Sequence, residues 1–257
     1  MTATVRIAQL YPATLGFTGD RGNVRALRVR LEHAGATVEF FPVAIGDELP
    51  DGLDIIIIGN GPLSAIRSVH TDLLARGDSI RAFAASGGAL LAIGAGAELL
   101  SRGITTLDGE LIEGLGVFDL DVVRTRDRKV GYIVVDTSVG TVLGFEDHAS
   151  EWTFSDPTLG FGRVVSGRGS FAVSATAGET ARGELVRAGN AFASNVQGPL
   201  LPLNPNLVRE ILTAVLARRE LVLDLDRNVE SLDSHAAGAR ATIEALVHGK
   251  GFNTIQL

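Results

Sequence analysis

Ile55-Ile56-Ile57-Ile58 leaves this chain few ways to fold. A strand sends successive side chains to opposite faces, so four consecutive apolar β-branched residues have two faces to hide. A strand inside a parallel sheet, with helices covering both sides, hides both. The run stops at Gly59-Asn60-Gly61-Pro62, a strand-end turn. Upstream, Val5–Leu10 alternates as a first strand, and a loop from Tyr11-Pro12 runs to Asn23. Val24, Leu27, Leu31 and Ala34 then recur at helical spacing up to Gly35, and Thr37–Val43 is rich in strand formers. Downstream, the pattern predicts a helix over about 64–84 and a strand at Ala89–Ile93. This order of elements predicts an α/β fold with a doubly wound, mostly parallel central sheet of the Rossmann or flavodoxin kind. Its ligand crevice lies beyond the carboxyl ends of the strands.

The stretch Ser86–Leu100, SGGALLAIGAGAELL, is where chemistry is expected. Its strand stops at Gly94-Ala95-Gly96, and a helix is predicted from near Ala97. A sharp strand–turn–helix junction lifts one residue above the sheet edge and aims a helix start at it, the arrangement of a nucleophile elbow. Here the raised residue, Gly94, has no side chain. The Gly59 and Gly94 turns both open toward the crevice, and spacing alone fits simple strand termination equally well.

From Thr105 to Val196 the character changes. Short strand-like runs at Gly131–Asp136, Gly183–Arg187 and Ala191–Val196 alternate with glycine-rich turns, which predicts antiparallel additions to the sheet. Asn204 at an N-cap position and Pro205 after it open a helix with apolar pairs Leu207/Val208, Ile211/Leu212 and Val215/Leu216. A last helix is predicted around His235–Val247. With no repeat or linker in 257 residues, a single domain over 1–257 is expected.

Several chemistries are excluded by composition or spacing. The chain has no cysteine, which removes disulfides, thiolate metal sites and thiol nucleophiles. A net charge of −7 without a Lys/Arg block gives no electrostatic footprint for nucleic acid. No apolar run approaches the roughly 20 residues of a transmembrane helix, and MTATVRIAQL does not read as a secretory signal, so a cytoplasmic protein is expected. Gly94-Ala95-Gly96 begins a dinucleotide fingerprint, but Leu99 stands at its third glycine position. G-x-S-x-G is absent. The histidines are scattered, and only His148 has acidic neighbours, Glu146 and Asp147, so no metal and no cofactor are expected.

Several segments together resemble class I glutamine amidotransferases of the cobyric-acid-synthase-like branch, especially the GatD-type subunit of lipid II isoglutaminyl synthase. Tyr11-Pro12 with Gly19-Asp20-Arg21-Gly22-Asn23 is similar to that family's opening, and the turn after Ile58 to its glycine-rich oxyanion loop. Ala92–Leu100 resembles the nucleophile elbow. Glu113–Gly116 and Gly144–His148 resemble two further blocks, and Gln197–Pro205 the block that normally starts with the catalytic histidine. In that family a thiolate attacks the glutamine side-chain amide, a histidine moves the proton, and backbone N–H groups hold the oxyanion. The ammonia then passes to a partner subunit resembling the Mur ligases, which activates a glutamate carboxylate with ATP.

The resemblance also implies what is missing. Gly94 stands for the cysteine and Gln197 for the histidine, Glu98 replaces a usual glutamine, and Pro62 in the oxyanion loop has no N–H to donate. An amide cannot accept and return a proton near neutral pH. The expectation is therefore an amidotransferase-like subunit in a heterodimer with a Mur-ligase-type partner, with no catalytic residues and no glutamine hydrolysis. The alternative is an amino-acid-binding or regulatory module that uses the emptied pocket. For an amino acid or amine ligand, the candidate pocket residues are Gly59, Asn60, Gly61, Ala95, Gly96, Glu98, Arg128 and His148.

Overall fold

The computed structural model describes residues 3–173 and 181–248. The first half alternates strands and helices: β1 (Thr4–Leu10), α1 (Asp20–His33), β2 (Thr37–Val43), β3 (Ile55–Ile58), α2 (Leu63–Ala75), α3 (Gly77–Ala85), β4 (Ala89–Ile93) and α4 (Ala95–Leu100). Strands dominate next: β5 (Gly103–Thr105), β6 (Leu111–Glu113), β7 (Asp121–Thr137), β8 (Gly140–Thr153), β9 (Gly160–Ser166), β10 (Phe171–Val173), β11 (Ala181–Ala188), β12 (Ala191–Ser194) and β13 (Val196–Gln197). Helices α5 (Leu200–Leu203), α6 (Pro205–Arg218) and α7 (Glu230–His248) follow. Among the described residues no helix is long and apolar enough to cross a membrane.

All the strands join one sheet, whose main path runs β2-β1-β3-β4-β12-β11-β9-β7-β8-β13. The pairings from β2 to β12 are parallel, and those from β12 to β13 are antiparallel. The isoleucine run lies inside the parallel part, paired with β1 on one side and β4 on the other. All four of its side chains are fully buried. Ile55 and Ile57 join the core under α1 and α6, whereas Ile56 and Ile58 join the core under α2, α3 and α4. The run therefore supplies both cores at once, as a strand with two covered faces must.

Element boundaries differ from expectation where backbone geometry overrides pattern. Helix α1 starts at Asp20 rather than Val24, because Gly19 adopts a left-handed φ of 95° and its carbonyl already accepts the Gly22 N–H. The helix expected over about 64–84 is two helices that meet at Arg76. Helix α4 opens at Ala95, directly after Gly94 and two residues before Ala97. Asn204 does sit at the N-cap position of α6, but its side chain makes no cap. Instead its amide bridges to both the N–H and the carbonyl of Leu143 on β8.

The antiparallel half is larger than expected. Gly131–Asp136 is only the second part of the 17-residue β7, which pairs with the 14-residue β8 in one long hairpin. The strand expected over Ala191–Val196 is split: β12 stays with β4, and β13 crosses to β8. Helix α7 starts at Glu230, before the expected His235.

Candidate active site

The site forms where β3 and β4 end. Gly94 closes β4 with φ 52° and ψ −112°, a backbone conformation that side-chain-bearing residues rarely adopt. Its N–H donates to the Ser194 carbonyl at the end of β12 (2.8 Å), and its carbonyl accepts the Glu98 N–H (2.9 Å). The turn after β3 lies against it: Gly96 N–H donates to the Gly59 carbonyl (3.1 Å), and a Cβ on Gly96 would lie 2.4 Å from the Ile58 carbonyl oxygen. Gly59, Asn60, Gly61, Gly94, Ala95 and Gly96 thus converge from two strand ends, with Gly61 packed on Leu15 and Thr14.

Asn60 occupies the centre of this convergence. Its side-chain oxygen accepts the Ala95 N–H at 2.9 Å, the N–H immediately after the elbow residue. In an active elbow that N–H points at the developing oxyanion. A Cβ on Gly94 would fall 2.1 Å from the same Asn60 oxygen. Asn60 therefore stands in the space that a side chain at position 94 would take.

Asp20, which the sequence reading did not single out, holds Asn60 from behind. It is fully buried at the start of α1, and its carboxylate accepts the Asn60 backbone N–H (3.3 Å). Burial pushes its carboxyl up from the ordinary 3.8 to about 6, against the opposing pull of N–H donors led by Asn60. The only signal in the sequence was its place in Gly19-Asp20-Arg21-Gly22-Asn23.

Gln197 reaches the same sheet edge by a different route. β12 ends beside β4 at Ser194, and three residues later Gln197 sits on β13 opposite Phe145 of β8. The turn between them is set by Glu184, whose carboxylate takes the Ser194 hydroxyl, the Asn195 N–H and the Ser170 hydroxyl. The Gln197 side chain is buried and donates through Nε2 to the Asp147 carbonyl (2.7 Å). Gly198 follows, in contact with the Gly19 turn that opens α1.

The remaining candidates are engaged with neighbours. Glu98 turns its buried carboxylate to Arg124 on β7. Arg128, 56% exposed, pairs with Asp147, whose carboxylate holds the guanidinium above its ordinary range. His148 is buried in β8 opposite Lys129, with Nε2 3.8 Å from the Glu146 carboxylate and no hydrogen-bond partner on that nitrogen. Among the described residues no group of His, Asp and Glu is arranged to hold a metal ion. The geometry thus places a glycine, Gly94, at the strand–helix turn and a buried amide, Gln197, on β13.

Residues 6–204 match the CobB/CobQ-like glutamine amidotransferase domain. The chain belongs to that family. Two similar relatives are both described as subunit GatD of the glutamine-hydrolysing lipid II isoglutaminyl synthase. The one from Streptococcus pneumoniae is 32% identical over 219 residues, covering 84% of this chain and 82% of the relative. The one from Staphylococcus aureus is 26% identical over 207 residues, covering 80% and 82%. Two solved structures share the fold: a glutamine amidotransferase (TM-score 0.55, 20% identity, 81% of this chain and 98% of the other) and PurLQS from Thermotoga maritima (TM-score 0.53, 14% identity, 84% and 99%). At the strand–helix turn after β4 of that domain the chain carries Gly94, which has no side chain.

Proposed function

We propose that this chain is a non-hydrolysing, GatD-like subunit of a cytoplasmic complex that modifies peptidoglycan precursors, a single domain over residues 1–257 held by a Mur-ligase-type partner. One observation carries the reading: the elbow backbone is retained around Gly94, while neither Gly94 nor Gln197 offers a nucleophile or a base. Removing a nucleophile alone costs an enzyme several orders of magnitude in rate. The contribution of this subunit is then to the assembly rather than to ammonia supply. Amide formation on the ligase subunit, where ATP activates a glutamyl carboxylate and an amine displaces phosphate, draws on free ammonium or another small amine.

Co-expression with a Mur-ligase-type chain encoded beside it tests the partnership: a stable heterodimer on size exclusion supports it, and independent elution of the two chains contradicts it. Mass spectrometry of the reconstituted product then identifies the amine. A product that forms strictly from glutamine would overturn the non-hydrolysing reading.

A further inference from the structure

The elbow is filled by this chain's own carboxamide. We propose that Asn60 is an internal plug, the side-chain amide taking the volume and the hydrogen bond that a primary-amide ligand would otherwise use, and that Gly94 is the residue that makes room for it. The inference rests on the reading of this turn as a retired amidotransferase centre, and it is independent of the partner.

Three contacts fix the plug. Asn60 Oδ1 takes the Ala95 N–H, and Ala95 is 2% exposed, so water has little access to replace that bond if the amide swings away. The backbone of Asn60 is held at both ends: its N–H donates to the buried Asp20 carboxylate, and its carbonyl accepts the Phe17 N–H (3.3 Å). The side chain cannot retreat by moving the residue as a whole. The space it fills is the space of a side chain at position 94, where a Cβ would lie 2.1 Å from Oδ1, 2.5 Å from Cγ and 3.1 Å from Cβ of Asn60. Real carbon–oxygen contacts are near van der Waals distance, so a side chain at 94 and the Asn60 amide cannot occupy this place together, and the amide would have to give up its Ala95 bond to make way. Restoring a nucleophile at 94 alone therefore does not reopen the site, and the amide at 60 keeps glutamine out of the present one.

The absence of cysteine elsewhere makes the test site-specific. Gly94→Cys is made with and without Asn60→Gly, and each folded protein is treated with iodoacetamide, whose alkylation forms an S–C bond and releases iodide and the thiol proton. The plug predicts alkylation at least tenfold faster in the double variant than in Gly94→Cys, with equal rates after denaturation. Equal rates in the folded proteins would overturn it. In parallel, Gly94→Ala is compared in both backgrounds by thermal melting. The strained φ costs the same in each, so the difference isolates the clash. The predicted fall in Tm is at least halved by Asn60→Gly, and a Gly94→Ala chain that folds only with Asn60→Gly supports the plug as well. An undiminished fall, or failure to fold in both backgrounds, contradicts it. So does a melting shift of the unaltered protein with glutamine. None of these readouts depends on the ligase, so the plug and the proposed partnership fail separately.

Discussion

At Asp20 a single buried carboxyl couples the stability of the site to pH. The folded chain keeps a proton there that the unfolded chain has already released, so this group's contribution is fully present below about pH 4. It is lost as pH rises through about 6. A shift of about two units corresponds to about 3 kcal/mol. Urea titrations of Asp20→Asn and the unaltered chain from pH 4 to 7.5 are predicted to show the variant gaining on the parent by up to that amount as pH rises. A difference that does not vary with pH would contradict it. Glu98 is held differently, its buried carboxylate paired with Arg124. Arg124→Ala leaves that carboxylate buried without its partner, and a loss of about 2 kcal/mol is expected in the same titration. This is below the about 3–5 kcal/mol of a fully buried pair, because Arg124 keeps part of its side chain in water. Neither role was visible in the residue type alone. Burial decides both, and burial is set by which helix start or strand lies opposite.

Among the elements, the isoleucine strand was the most legible, since its composition admits one environment. Ile56→Ala and Ile57→Ala, which point into different cores, are each predicted to cost about 3–4 kcal/mol in chemical denaturation. A strand with one solvated face would lose that much at only one of the two positions. The β7–β8 hairpin was the least legible. Arg124-Thr125-Arg126-Asp127-Arg128-Lys129 has no apolar alternation to mark a strand, because its stabilisation comes from distant partners. Arg124 meets Glu98, Arg128 meets Asp147, and Lys129, with desolvation lowering its pKa, is buried against Glu151 and the Gly169 carbonyl. Periodicity cannot report a charge satisfied across a sheet. The turn residues around Gly94 and Gly59 were found by spacing, but the part played by Asn60 was not, because a hydrogen bond between two loops leaves no local pattern.

The whole molecule joins a parallel half, which carries the elbow, to an antiparallel half, which carries Gln197. Ser194 couples them: it accepts from Gly94 and lies three residues before Gln197. In that architecture the strand–helix turn carries Gly94, which has no side chain, and β13 carries the amide of Gln197. On the proposed non-hydrolysing reading, the fold is expected to be retained for an interface. The decisive measurement is ammonia release from glutamine by the purified ligase-bound complex. The account predicts none above the uncatalysed rate, while added ammonium or an amine supports product formation. Glutamine-dependent ammonia release by that complex, abolished by a point change in this chain, would contradict it.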